Sequence, residues 1–162
     1  MSDISNSEIF YHARANALKY IGFRSCSSGK VRKYLVDKGY DAFLADAVVE
    51  ELTERNFIDD YKACKQILIS RCGKKQESKK YSYNRLVAAG VEPEIAEDYI
   101  SHLDSDLITC KNLYSAILTS NEFNSQIVDI TPEDYRLLLI KYAVKRGYTT
   151  EIAVKASEDF GC

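Results

Sequence analysis

Apolar positions along this chain follow a helical period, break off at a glycine and resume, three times over. In KYLVDKGYDAFLADAVVEEL (33–52), Leu44, Ala45, Val48, Val49 and Leu52 form one stripe of a helix. The same offsets carry Ile95, Ala96, Tyr99, Ile100 and Leu103 in NRLVAAGVEPEIAEDYISHL (84–103). They carry Ile152, Ala153, Ala156, Ser157 and Phe160, with one polar lapse, in KYAVKRGYTTEIAVKASEDF (141–160). The three passages align without a gap on Gly39, Gly90 and Gly147.

Each glycine reads as the residue just past a helix end, where the backbone turns left-handed and a Cβ is unwelcome. In such a cap the following residue packs back on the last turn, which pairs Tyr40 with Leu35, Val91 with Leu86 and Tyr148 with Ala143. Asp41 and Thr149 suit the cap of the next helix, and Glu92 is followed by Pro93 at a first helical position. The second helices of the pairs are expected over 41–54, 93–103 and 149–159. A further helix precedes each pair. It spans roughly 7–22 (Ile9, Ala13, Ala17 and Ile21 inward), then about 60–73, started by Asp59 or Asp60 and facing inward with Cys64, Ile67 and Leu68. The last covers about 106–119, with Cys110, Leu113, Tyr114 and Ile117. The glycines are spaced by 51 and then 57 residues, the longer interval being absorbed by SNEFNSQIVDI (120–130) before Thr131 caps and Pro132 opens another helix. No period-2 alternation competes. The prediction is an all-α chain of three tandem three-helix repeats, 1–56, 57–104 and 105–162, forming an elongated, slightly curved array.

Composition narrows the function. The 162 residues are 46% hydrophobic, enough for one or two modest cores, and the net charge of −2 advertises no global affinity for nucleic acid. The charge is unevenly placed. Between Lys62 and Arg85 eight basic residues face one acid, Glu77, which leaves the rest of the chain with 14 basic and 23 acidic residues. Such asymmetry suits a local site for a polyanion or an acidic partner, although solvation alone accounts for any single lysine. Five cysteines without a close pair and two histidines, His12 and His102, give no metal-ligand spacing. Cys64 and Cys110 read as small core residues. The isolated glycines form no phosphate cradle and no nucleophile motif is present, so no catalytic residue, metal or cofactor is expected. The Asp59–Asp60 pair reads as helix capping. Without an apolar run long enough for a bilayer or a signal peptide, the expectation is a cytoplasmic, monomeric, non-enzymatic protein.

Four segments in order then carry a resemblance: RSCSSGKVRKYLVDKGY (24–40), FIDDYKACKQILISR (57–71), NRLVAAGV (84–91) and KYAVKRGY (141–148). They are similar to the R-x-R-S, L-x-x-K-G, G-h-L-D-D, K-G-I and R-G-F segments of the RecX family of bacterial recombination regulators. Departures are Cys26 at the usual second arginine, Lys30 and Val31 for Glu-Leu, and Ser78, Ser82, Arg85 and Ala89 in the second repeat. They bear on partner affinity more than on fold, since Leu86 and Gly90 are kept. The resemblance implies binding to the RecA recombinase filament on single-stranded DNA, limiting its extension, strand exchange and ATPase, with direct contact to single-stranded DNA left open.

Three basic groups are the candidate binding residues: Arg24, Lys30, Arg32 and Lys33; Arg71, Lys74, Lys75, Lys79, Lys80 and Arg85; and Lys141, Lys145 and Arg146. Two alternatives compete with the recombinase reading. One is a weak DNA-binding helix-turn-helix module, opposed by the acidic character of DAFLADAVVEELTE (41–54). The other is a helical adaptor with no tie to recombination.

Overall fold

A computed structural model of the chain describes residues 6–120 and 130–160. The expected polar loop at 120–130 therefore lies almost wholly outside the described residues, as does Cys162. Among the described residues every regular element is helical: α1 Asn6–Ile21, α2 Ser28–Asp37, α3 Ala42–Glu54, α4 Asp60–Leu68, α5 Lys79–Ala88, α6 Pro93–Ser101, α7 Asp106–Leu118, α8 Pro132–Lys145 and α9 Thr150–Ser157, with short 3-10 turns at Gly73–Lys75 and Glu158–Phe160. Contacts sort them into two compact units. One comprises Met1–Ile67 with Arg85–Tyr99, the other Leu68–Asn84 with Ile100–Cys162, so residues of the middle repeat are divided between them.

The apolar stripes become the two cores. In the first unit Ala13, Ala17 and Ile21 of α1 meet Val31 and Leu35 of α2 and Ala45, Val48 and Leu52 of α3. In the second, Cys110, Leu113, Tyr114 and Ile117 of α7 meet Leu139 and Ala143 of α8 and Ala153 and Ala156 of α9. Small residues at Ala13, Ala17, Ala143, Ala153 and Ala156 leave no exposed surface, so the helices approach closely at those points. Ser157, the polar lapse in the third stripe, is buried and satisfied: its hydroxyl donates to the Val154 carbonyl at 2.6 Å and accepts from Arg136 Nε at 2.8 Å.

The glycine turns are Schellman caps. Tyr40, Val91 and Tyr148 donate their N–H groups to the carbonyls of Leu35, Leu86 and Ala143, the three pairings expected from sequence, at 3.1–3.2 Å. Asp41, Thr131 and Thr149 cap α3, α8 and α9 with side-chain oxygens. Two expectations need correction. The helix expected to reach residue 73 stops at Leu68: the Arg71 N–H turns back to the Leu68 carbonyl at 2.8 Å, and Gly73–Lys75 wraps instead into a 3-10 turn packed on α7, with Gly73 at φ +57° beside Ala116. Leu103, assigned to the second apolar stripe, lies past the end of α6 and is exposed.

Hydrogen bonds at the starts of α2 and α5 join consecutive repeats. In the first unit, Ser27, the N-cap of α2, donates its hydroxyl to the Ala89 carbonyl at 2.6 Å, and Gly29 N–H donates to the Gly90 carbonyl at 2.8 Å. Asp60, read from sequence as a possible cap, instead sits buried and takes three donors: Ser28 N–H and Oγ–H at 2.7 Å each and Glu92 N–H at 3.0 Å. Its neighbour Asp59 is the cap, accepting from Lys62 N–H at 3.1 Å. The second unit repeats the plan, with Ser78 N–H on the Arg146 carbonyl at 3.0 Å and Lys79 N–H on Asp106 Oδ1 at 2.8 Å.

This arrangement separates the glycines by their physical role. A Cβ on Gly39 would meet nothing, so only its φ of +95° demands glycine. A Cβ on Gly90 would stand 2.8 Å from Lys30 N and from Ser27 Oγ. Thermal or urea unfolding should therefore show Gly39→Ala costing about 1–2 kcal/mol and Gly90→Ala clearly more; equal losses would refute the close-approach role. By the same method Asp59→Ala should cost about 1 kcal/mol, the loss of a cap. Asp60→Ala should cost on the order of 3 kcal/mol, because it strands two backbone N–H groups and a hydroxyl.

Candidate functional site

The sequence-predicted basic residues do not all have the same standing. In the first unit Arg24, Lys30, Arg32 and Lys33 are exposed, and Arg85 is half-buried on α5. Arg32 grips Asp46 through Nε at 2.5 Å and Lys33 reaches Asp37 at 2.8 Å, one turn along α2. The hydrogen bonds and charges of these carboxylates push both side chains further above their ordinary pKa. Exposed pairs of this kind contribute little to stability, but a partner must compete with them for the cation. Lys30 and Arg24 carry no such ion pair among the described residues; Lys30 abuts the Gly90 turn and Arg24 lines a separate cleft near the end of α1.

In the second unit the second and third basic groups come together. Arg71, Lys74 and Lys75 occupy the turn after α4, and Lys79 and Lys80 open α5. The Ser78–Arg146 backbone bond seats the turn that follows α8 directly on the start of α5, with the Tyr81 ring and Ser78 Oγ against Gly147. Lys145 and Arg146 are thereby brought beside Lys79 and Lys80, while Lys141 lies exposed one turn back on α8. Lys74, Lys75, Lys80 and Lys145 are exposed. Lys79 is half-buried, its amide on Asp106 and its ammonium 3.5 Å from the Ser101 carbonyl. Arg71 is also half-buried, and its Nε has no hydrogen-bond partner among the described residues.

The acid of this segment points the other way. Glu77, the one carboxylate between Lys62 and Arg85, is 3% exposed and accepts from the buried Ser82 hydroxyl at 3.3 Å. Ser78 and Ser82, two of the departures from the RecX pattern, are buried beside it and serve the packing. The exposed charged side chains at the start of α5 and in the turn before it are consequently basic. Such a face attracts phosphate or an acidic protein surface, in a salt-sensitive way.

No group of three or more His, Cys, Asp or Glu able to hold a metal ion occurs among the described residues, and His12 and His102 are exposed. Burial raises the thiols of Cys64 and Cys110 to about 11, with the charges of Asp60 and Asp106 adding to the effect. Burial likewise raises the Tyr114 and Tyr148 hydroxyls, which are held at 2.9 Å by the Ala153 carbonyl and at 3.0 Å by Thr109 Oγ1. No helix among the described residues is long and apolar enough to cross a membrane.

Comparison with known proteins agrees with this architecture. Residues 13–52, from α1 through most of α3, match the family model described as RecX, first three-helix domain. The chain is 31% identical over 104 residues to "Regulatory protein RecX" of Chlorobium limicola, covering 64% of this chain and 63% of that one. It is 23% identical over 159 residues to the protein of the same name from Lactococcus lactis, covering 98% of this chain and 58% of the relative. The matches thus span about three-fifths of the length of these relatives. The crystal structure of RecX from Lactobacillus salivarius superposes with a TM-score of 0.74 at 13% identity, covering 94% of this chain and 97% of that one, a likeness of fold. The chain is thus similar to RecX proteins in its first three helices and in its all-helical fold.

The cysteines give a test of the environments described. In a Cys162→Ser variant at mildly alkaline pH, exposed Cys72, within the basic turn, should react with a disulfide reagent promptly, whereas Cys64 and Cys110 should react only on unfolding. Because the folded thiols ionise near 11 and ordinary ones near 9, stability is full below pH 9 and falls as pH rises from about 9 to about 11. Rapid labelling of either buried thiol in the folded protein, or a flat stability profile over that window, would contradict the assigned burial.

Proposed function

We propose that this chain is a non-catalytic regulator of the RecA recombinase, which binds the RecA filament on single-stranded DNA and limits its extension, strand exchange and ATP hydrolysis. The observation that carries the proposal is the Ser78–Arg146 bond, which seats the turn bearing Lys145 and Arg146 on the basic start of α5, with Lys74, Lys75 and Lys80 exposed in the same segment and Glu77 buried. Its setting in a RecX-family helical fold supports a filament partner over an arbitrary polyanion. The acidic outer positions of α3, Asp46, Glu50 and Glu54, argue against a recognition helix entering a DNA groove. The three repeats, 1–56, 57–104 and 105–162, are proposed as the subdivisions through which a filament is contacted.

The test is ATP hydrolysis by the host's RecA on single-stranded DNA, with the protein added at substoichiometric ratios. The expected result is inhibition well below one regulator per recombinase, together with weak binding to DNA alone. Reversing Lys74, Lys75, Lys80 and Lys145 to glutamate should raise the half-inhibitory concentration at least about tenfold, since each surface contact to an opposite charge is worth up to about 1 kcal/mol. Absence of inhibition at excess wild-type protein would remove the recombinase and leave a helical adaptor. Inhibition by the reversed variant equal to wild type would remove the basic face.

A further inference from the structure

The helices that follow the three glycine turns, α3, α6 and α9, align residue for residue, so each is a control for the others. In the first turn α6 and α9 carry Glu94 and Glu151, acids where the helix dipole favours them. α3 has no acid in its first turn and places Phe43 at that position, 87% exposed. One turn on, Ala47 stands where the other two helices have the charged Asp98 and Lys155. Exposed Glu50 and Glu54 continue the same face, Glu54 in the last turn, where the dipole disfavours an acid. Neither glutamate enters an ion pair among the described residues. Both departures work against α3 as a helix by itself, and an exposed ring on such a face marks a surface that something covers.

In the other unit α8 presents a stripe of matching chemistry. Leu137 and Val144 are 55% and 43% exposed, and Lys141 and Lys145, exposed on the same face, enter no ion pair among the described residues. We infer that α3 of one copy of this chain packs lengthwise on α8 of a second copy. Phe43 and Glu50 are seven residues apart, as are Leu137 and Val144, an interval that returns to one helix face after about 10.5 Å. Laid parallel with Phe43 on Leu137, Glu50 therefore comes level with Val144 and Lys145, and the small Ala47 leaves room for the Lys141 stem. The antiparallel arrangement, with Phe43 on Val144, brings Glu54 against Glu133 and is disfavoured by like charge. A second copy is the fitting occupant because each stripe supplies the charge that the other lacks, around apolar residues of both. One helix on another buries less than the ~1,200 Å² of a standard interface, so the association is weak. A copy engaged through α3 still offers its α8, and the contact runs head to tail unless it closes on itself. The monomer expected from sequence is then the dilute form.

The inference does not depend on the recombinase reading, and its test omits RecA. Sedimentation velocity of the full chain at low salt should show a coefficient rising with concentration between about 10 μM and about 1 mM, the range of a weak contact. The rise should vanish at about 0.5 M salt, where the paired charges are screened. Phe43→Glu installs the residue that α6 and α9 already hold at this position. It should keep the protein monomeric throughout, with an unfolding curve no less stable than that of the wild type. Glu50→Lys with Glu54→Lys, and Lys141→Glu with Lys145→Glu, should each be monomeric alone and associate when mixed in equal amounts. A wild type that stays monomeric over the whole range would overturn the inference and leave both faces to other proteins. So would association unaltered by Phe43→Glu, or reversed variants that remain apart when mixed.

Discussion

The structure depends on how the start of one helix is satisfied by the repeat that follows it. A helix N-terminus presents N–H groups without intrahelical partners and a partial positive charge. Here those groups are turned toward a carboxylate, Asp60 for α2 and Asp106 for α5, and toward the backbone at a glycine turn, Gly90 and Arg146 respectively. A buried carboxylate with three donors is worth far more than the same group in water, and far more costly if one donor is lost. The capping serines, the acid and the glycine must therefore appear together or not at all. That linkage explains why Gly90 and Gly147 face close neighbours while Gly39, onto whose turn no helix start is docked, faces open space.

At the start of α8 the same logic runs out. The position after its cap is Pro132, which has no N–H to offer an acid, and the cap Thr131 is exposed. The Thr131 hydroxyl instead closes locally, accepting from Asp134 N–H at 3.2 Å. A helix start of this kind is complete by itself, whereas Ser27 and Ser78, 1% and 0% exposed, are complete only with a neighbour.

Much of this was legible in the sequence because it is local. The three glycine caps, the fold-back residues, the side-chain caps and the inward faces of α1, α3 and α7 all follow from spacing within a dozen residues. The joints between repeats were not legible, because Asp60 and Ser28 are 32 positions apart and an aspartate pair at a helix start reads equally well as a cap. One signal was available: Ser27 and Ser78 both stand twelve residues before a glycine, and the acids Asp60 and Asp106 both open a helix. The basic groups were found as residues, but not their convergence. The start of α5 and the turn after α8 are brought together by the Ser78–Arg146 bond, and charge counting could not say that Glu77 turns inward while Arg32 and Lys33 are engaged by Asp46 and Asp37.

Because the joint is made largely by backbone groups, it leaves the outward side chains open to change. Ser28 and Lys79 hold equivalent places at the starts of α2 and α5 and both give their N–H to an aspartate, yet one adds a buried hydroxyl and the other a half-buried ammonium near the Ser101 carbonyl. Lys30 and Tyr81 likewise both donate N–H to a capping serine, and differ entirely in what they show to solvent. A joint of amides, a short acid and glycine fixes where each helix begins without fixing what its surface carries. In such a fold the exposed residues of a helix start, such as Lys80 on α5, can change while the joint beneath them is kept.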